Sequence, residues 1–380
     1  MSIGILTSGG DAPGMNAAIR AAFRCLKMRA PDCELILFRD GFRGLARRLD
    51  SSSDRSVDRK DVRDIIHRGG TFIGTGRVPE LVLPPADVPD FAARVAAREA
   101  FLRVAAVNLF QHQIEALIVI GGDGSFCGAQ AIASAYRQTF PGRPFRVIGL
   151  PGTIDNDLHG TDYSIGYDTA LNNVVDSLRK LRDTIESHRR AIILEVMGNT
   201  SGWLALQSAI AGGAAAVAIP EVEETWDQDA LVSRLIAGVR RDYRYFIIVV
   251  AEGVLKRAGA DWSHALKHRI EEARPIHDML GHAMEVRINS VGHVARGGSP
   301  SALDNTLAGL LGAAAADIAQ TGALGRGPTI EGDIMVGCRG TRVITTPLDE
   351  VIANSPRLVT RDSELYQLSL KLMLSAGQPF

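Results

Sequence analysis

Cysteine is scarce in this chain: Cys25, Cys33, Cys127 and Cys338 are the only four in 380 residues. No CxxC pair and no Cys/His cluster with zinc spacing occurs among them, so neither a structural zinc module nor a disulfide framework is expected. An excess of either charge is also missing. Forty-two basic side chains face 43 acidic ones, for a formal net charge of -1. A bulk electrostatic pull toward nucleic acid or an anionic membrane is thereby excluded, and neither is expected as a partner. Long apolar runs are absent as well. The longest, "AIAGGAAAVAIP" (209–220), falls well short of the roughly 20 residues a membrane helix needs. The amino terminus, "MSIGILTSGGD", enters glycine after one short apolar run and lacks the charged start and apolar core of a secretory leader. A cytoplasmic location is the resulting expectation. No low-complexity tract and no internal repeat interrupts the chain.

Short β-branched runs are plentiful and most lead into glycine. They are "IGILTSGG" (3–10), "ELILF" (34–38), "ALIVIGGDG" (116–124), "RVIGLPG" (146–152), "AIILEVMG" (191–198), "AVAIP" (216–220) and "YFIIVVAEG" (245–253). Their cores are continuously apolar, as parallel strands covered on both faces require. Helical spacing fills the gaps, at 15–28, 168–185 and 228–239, and the Ala/Arg-rich run 91–107 reads as an amphipathic helix with a solvated charged face. Segments 51–61 and 257–268 read as surface loops or exposed helices. The alternation predicts an α/β fold of two doubly wound domains with mostly parallel sheets. In such sheets ligands bind beyond the carboxyl ends of the strands, and "TSGGD", "GGDGS", "PGTIDND", "EVMGN" and "AEG" all fall there.

Each motif has a chemical reading beside a plainer one. In "TSGGDAPGMNAAIR" (7–20) the glycines let backbone N–H groups approach a phosphate at a helix N-terminus. The plainer reading is a turn capped by Asp11. "VIGGDGSFCGAQ" (119–130) leaves no side chain at Gly121, Gly122 and Gly124 to obstruct a nucleotide phosphate, and Asp123 suits Mg²⁺, which takes carboxylate and phosphate oxygens. Cys127 within it is expected to be a small buried residue, with a reactive thiol as the alternative. "PGTIDNDLHGTD" (151–162) supplies paired carboxylates: Asp155 to take a proton from an attacking hydroxyl, Asp157 to fix the geometry, and Thr153 to donate. A polar loop capped by Asp157 or Asp162 is the alternative. "VRINSVGHVARGGSP" (286–300) offers Arg287, His293 and Arg296, guanidinium groups suited to phosphate, or simply a solvated basic loop. Arg190 precedes another strand.

Taken in order, "GILTSGGDAPGMNAAIR", "GGTFIGTGR", "IGGDGS", "PGTIDND", "EVMG" and "GHVARGGSP" closely resemble the 6-phosphofructokinase family, from the first strand to about residue 305. The resemblance implies two discontinuous domains with the active site in the cleft between them. Residues 1–166 and 295–345 would form the nucleotide-binding domain, and 167–294 and 346–380 the sugar-phosphate domain. The implied reaction is transfer of the ATP γ-phosphoryl group to the 1-hydroxyl of fructose 6-phosphate.

Carried over residue by residue, Gly10, Arg77, Gly122, Gly124, Ser125 and Gly128 would contact the nucleotide, with Asp123 on Mg²⁺. Asp155 would be the base, supported by Thr153 and Asp157. Met197, Gly198, Glu252, His293 and Arg296 would hold the sugar phosphate. Arg190 and Arg287 would reach into a neighbouring subunit's site, which implies a homodimer or homotetramer. Glycine at 124 and 152, where pyrophosphate users carry aspartate and lysine, implies ATP as donor.

Two positions depart from the short bacterial pattern. Asn199 replaces an arginine near the transferred phosphoryl group, and Ala215 replaces an effector-site glutamate, although Arg20, Arg24, Arg59, Arg182 and Arg241 lie near basic positions of that site. "NTSGWLAL" (199–206) resembles the branch that includes pyrophosphate enzymes. Open alternatives are therefore a pyrophosphate-dependent enzyme, a kinase of a related sugar phosphate such as sedoheptulose 7-phosphate, a lipid or NAD kinase sharing the GGDG turn, and a non-catalytic regulatory subunit.

Overall fold

The computed structural model describes residues 2–47, 58–82 and 89–374. Most of the polar segment expected at 51–61 lies outside these residues. Its end, Arg59–Val62, is a single helical turn opened by a capping box at Asp58. Among the described residues there are ten strands: β1 (Ser2–Thr7), β2 (Glu34–Leu37), β3 (Ile114–Gly121), β4 (Arg146–Pro151), β5 (Ala191–Val196), β6 (Ala216–Ala218), β7 (Phe246–Ala251), β8 (Val286–Ser290), β9 (Ile334–Arg339) and β10 (Arg342–Pro347). They divide between two compact units, and the chain crosses from one to the other repeatedly. The first comprises Met1–Thr153, Leu158–Asp168 and Arg296–Pro356, and the second Ile154–Asp157, Thr169–Ala295 and Arg357–Phe380.

The first unit is built on a six-stranded sheet in the order β10-β9-β4-β3-β1-β2. All neighbours are parallel except the β9–β10 hairpin. Alternation along β1 sends Leu6 to one face and Ile5 to the other, and both are fully buried. On the Leu6 face the helices Phe91–Gln111 and Asp123–Thr139 pack through Leu102, Leu109, Phe126 and Ile132. Helices Met15–Arg29 and Ala302–Thr321 pack against each other, close enough that a Cβ on Gly312 would run into the Ala18 carbonyl. Residues 346–356, expected with the sugar-phosphate domain, lie in this unit. Thr346 and Pro347 complete β10, and Leu348 and Val351 join the Phe126 core.

The second unit holds a four-stranded, wholly parallel sheet in the order β6-β7-β5-β8. Ile193, Ile248 and Val286 form one core with the helices Gln228–Arg240, Trp262–Glu271 and Arg274–Leu280. Segment 257–268 is accordingly not a surface loop throughout, because Trp262 and Leu266 anchor it in that core. Likewise "VRINS" within the expected basic loop is the edge strand β8. No helix among the described residues is long and apolar enough to cross a membrane.

Candidate functional site

In the first unit the phosphate-type turns gather at the carboxyl ends of β1, β3 and β4. Ser8 N–H donates to the Ile120 carbonyl at 3.0 Å, and Gly152 N–H to the Gly121 carbonyl at 3.0 Å, locking the three strand exits together. The "GGTFIGTGR" segment is drawn to the same edge. Thr75 Oγ1 donates to the Gly9 carbonyl at 3.0 Å, and Gly9 N–H donates to the Gly76 carbonyl at 3.3 Å. Asn16 secures the start of that segment, since its amide donates to Arg68 O and accepts from Phe72 N–H. Arg77 is exposed beside it. Asp11 caps nothing: helix Met15–Arg29 begins at Gly14, in the left-handed region, with no side-chain cap.

The glycines of this edge serve different ends. A Cβ on Gly10 would fall 2.5 Å from the Arg296 guanidinium, which donates to the Asp11 carbonyl at 3.1 Å. Arg296, expected on the sugar phosphate, is therefore seated against the first glycine turn, in the first unit. Gly121 is required because Ser125 Oγ and the Ser8 carbonyl would lie within 2.6 Å of its Cβ. Gly128 lets its helix approach Leu81 and Phe42, at 3.0 and 3.3 Å from a Cβ. Gly122 has only Thr153 near it, at 3.9 Å, and Gly124 has nothing within 4 Å. Gly124 sits exposed in the first turn of helix Asp123–Thr139, where glycine weakens the helix and packing gives no reason for it. Gly152 differs, because a Cβ there would meet Ile120 and Met15 at 2.8 and 3.0 Å.

Asp123 is exposed, and its Oδ1 accepts from Gly124 N–H at 2.7 Å. No group of three or more His, Cys, Asp or Glu side chains that could hold a metal occurs among the described residues. A solitary carboxylate at a phosphate turn still fits Mg²⁺, which is ordinarily held by one or two carboxylates plus substrate phosphates and water. Cys127 is exposed on this helix rather than buried. Partial burial, then the Asp123 charge, raise its thiol pKa, which disfavours the reactive thiolate.

In the second unit all four strands run the same way, so their carboxyl ends share one edge. Met197 and Gly198 follow β5, Glu252 follows β7, and exposed His293 follows β8. Glu252 Oε1 accepts from Gly198 N–H at 3.3 Å and from Asn199 N–H. The short segment Ile154–Asp157 packs here although its chain neighbours belong to the first unit. Ser201 Oγ donates to the Asp155 carbonyl at 3.3 Å, and Arg357 N–H to the Asp157 carbonyl at 2.5 Å. Asp155 is half-buried and Asp157 buried. Asp162 accepts from Gly340 N–H in the first unit, as Ser164 Oγ there donates to the Thr153 carbonyl.

Sequence reasoning missed three residues around this edge. Arg357 also donates to the Asn156 carbonyl and lies over the Trp203 ring, whose Nε1–H donates back to the Arg357 carbonyl. Lys256 places its ammonium 2.9 Å from Asn199 Oδ1. A loop polar enough to accept from a neighbouring lysine was visible in the sequence, but the one-turn reach from Glu252 to Asn199 was not.

Arg190 and Arg287 lie elsewhere. Arg190 precedes β5 and Arg287 is the second residue of β8, so both stand at the amino ends of the strands, each paired with Glu285. The length of β5, about 20 Å at the usual rise per residue, separates Arg190 from Met197 of the same chain. The basic residues near the expected effector site are also divided. Arg20, Arg24 and Arg59 line a cavity of about 720 Å³ in the first unit, whereas Arg182 in the second donates to the Gly213 carbonyl.

Residues 2–319 match a family profile described as "Phosphofructokinase". The chain is 40% identical over 367 residues to the ATP-dependent 6-phosphofructokinase of Listeria welshimeri, covering 97% of this chain and 98% of that one. It is 40% identical over 372 residues to the protein of the same name from Bacillus cytotoxicus, covering 98% and 99%. Among solved structures, phosphofructokinase from Saccharomyces cerevisiae superposes with a TM-score of 0.75 at 30% identity. That match covers 93% of this chain but 44% of the yeast one.

Proposed function

This chain belongs to the phosphofructokinase family, and from that membership we propose that it transfers the γ-phosphoryl group of ATP to the 1-hydroxyl of fructose 6-phosphate. The products are ADP and fructose 1,6-bisphosphate. The observation that carries this reading is the placement of Ile154–Asp157. The chain leaves the first unit for four residues, and those residues put the base on the unit that bears Met197, Gly198 and Glu252. A base belongs with the acceptor whose proton it removes.

The first unit takes the nucleotide on Gly10, Arg77, Gly122, Gly124 and Ser125, with Gly128 allowing the helix its close approach. Asp123 would hold Mg²⁺, which neutralises phosphate charge when bound. The second unit takes the sugar phosphate on Met197, Gly198, Glu252 and His293. Asp155 accepts the proton of the 1-hydroxyl as its oxygen bonds to phosphorus and the bond from phosphorus to the β-phosphate oxygen breaks. Thr153 donates to the substrate, and Asp157, buried and tied to Arg357, keeps the base in register. A carboxylate suffices as base because alignment and charge neutralisation dominate phosphoryl transfer.

The enzyme works in the cytoplasm as a homodimer or homotetramer. Arg190 and Arg287, a strand's length from their own chain's sugar-phosphate residues, serve the site of a neighbouring subunit. Initial rates with fructose 6-phosphate, Mg²⁺ and either ATP or pyrophosphate test the reading. Turnover is expected with ATP, and Asp155→Asn should lower kcat by about 10²–10⁴-fold. Turnover with pyrophosphate alone, or an Asp155→Asn variant of normal rate, would refute it.

A further inference from the structure

Phosphoryl transfer spreads negative charge over the equatorial oxygens of the moving group, and fixed cations that meet this charge lower the barrier. The loop after β5 offers one such cation. Helix Glu252–Ala258 starts at the carboxyl end of β7, and Lys256 lies one turn beyond Glu252 on the same face. Its Nζ donates to Asn199 Oδ1 at 2.9 Å and to the Asn199 carbonyl at 3.3 Å.

Asn199 has a φ of 53°, a left-handed conformation that asparagine tolerates better than most residues. Both of its oxygens thus serve a single ammonium. A neutral acceptor at 199 and a cation at 256 form a matched pair.

An ammonium has three N–H donors and no acceptor. Asn199 engages two. Glu252 Oε1 lies 3.6 Å away, outside hydrogen-bonding distance, and the lysine side chain is 50% exposed. The third N–H is therefore available to a ligand at this strand edge. The same loop leads to the base: Ser201 N–H donates to the Gly198 carbonyl at 2.8 Å, and Ser201 Oγ to the Asp155 carbonyl at 3.3 Å.

Resting on the function proposed above, we propose that Lys256 is a catalytic residue whose ammonium, oriented by Asn199, contacts the phosphoryl group as it passes to the sugar 1-hydroxyl. The lysine fixes charge where Asp155 activates the acceptor, and it stays with the new 1-phosphate of the product. A purely structural role would make it one more Glu–Lys pair four residues apart on a helix surface. Such pairs are dispensable for rate.

Lys256→Met and Lys256→Arg in the full-length chain separate these roles. Two readouts are needed: kcat and KM with ATP and fructose 6-phosphate, and calorimetric affinity for fructose 6-phosphate and for fructose 1,6-bisphosphate. The methionine variant should lose about 10²-fold in kcat while KM for fructose 6-phosphate stays within about threefold. Its affinity for the bisphosphate should fall about tenfold, as expected for one charge-assisted hydrogen bond, with fructose 6-phosphate affinity unchanged. Arginine should restore most of both.

Unchanged kcat and unchanged bisphosphate affinity would overturn the assignment. Equal loss of affinity for the two sugars would also overturn it, placing Lys256 on the 6-phosphate instead. Sugar binding without turnover in the wild type would sink the kinase reading and with it the catalytic role, and the bisphosphate comparison would still decide whether Lys256 meets a 1-phosphate. A wild type that binds neither sugar phosphate would remove both proposals.

Discussion

Gly124 and Gly152 look equivalent as letters, yet their surroundings differ. A side chain at 152 collides with Ile120 and Met15, so that glycine is demanded by the sheet's own packing. A side chain at 124 meets no protein atom, so the fold alone would accept alanine there. Gly124→Ala should leave the fold intact and stabilise the helix by up to about 1 kcal/mol. If a phosphate approaches the bare turn, the KM for ATP should rise in the same variant. Thermal midpoint and ATP kinetics on one preparation check this, and an unchanged KM would remove Gly124 from the nucleotide site. Lysine at 152 would first require Ile120 and Met15 to move.

At the scale of elements, the loop after β5 is held by clips from distant parts of the chain. Glu221, beyond β6, accepts from Gly202 N–H at 2.8 Å and from Val359 N–H at 3.1 Å, joining that loop to the carboxy-terminal segment. Arg357 and Trp203 make a second clip two residues away. Burial raises the Glu221 pKa above its ordinary 4.5, and the two N–H donors only partly offset this. A raised carboxyl pKa means that the folded state holds the proton more tightly than the unfolded chain. The Glu221 contribution is thus most favourable below the unfolded value and is lost as pH rises through the folded one. Glu221→Gln keeps an oxygen for both N–H groups and removes the titration. Its thermal midpoint relative to wild type should rise steadily as pH increases from about 4.5 toward 7. A difference independent of pH would show that Glu221 is not charged at a cost in the folded protein.

For the whole molecule, the parallel sheet of the second unit sets which residues share a strand edge. Met197, Glu252 and His293 at the carboxyl ends, and Arg190 and Arg287 at the amino ends, cannot hold one sugar phosphate within one chain. If neighbouring subunits share sites, Asp155→Asn chains and Arg287→Ala chains should each be nearly inactive. Co-refolded together they should regain activity that neither parent has, because some sites then combine an intact base with an intact arginine. A mixture no more active than its parents would return Arg287 to a surface role.

The seven β-branched runs, five of which lead into glycine, are strands β1 to β7, because continuous apolar sequence between helices has few other uses. The motif order pointed to the family through backbone requirements that travel with sequence: glycines at strand exits and carboxylates in the next loop. Three strands were not legible. β8 alternates on a sheet edge with polar residues exposed, so its composition matches a basic loop. β9 and β10 depend on pairing with each other and with β4, which local sequence does not encode. Sequence by itself determined the fold class, the family and the glycine turns at the strand exits, all set by local chemistry. Tertiary structure alone decided that Ile154–Asp157 joins the second unit, that Arg296 rests on the Gly10 turn, and that Lys256 meets Asn199. Those outcomes depend on which distant segments pack together, and residues 46 to 285 positions apart in the chain carry no local signal of it.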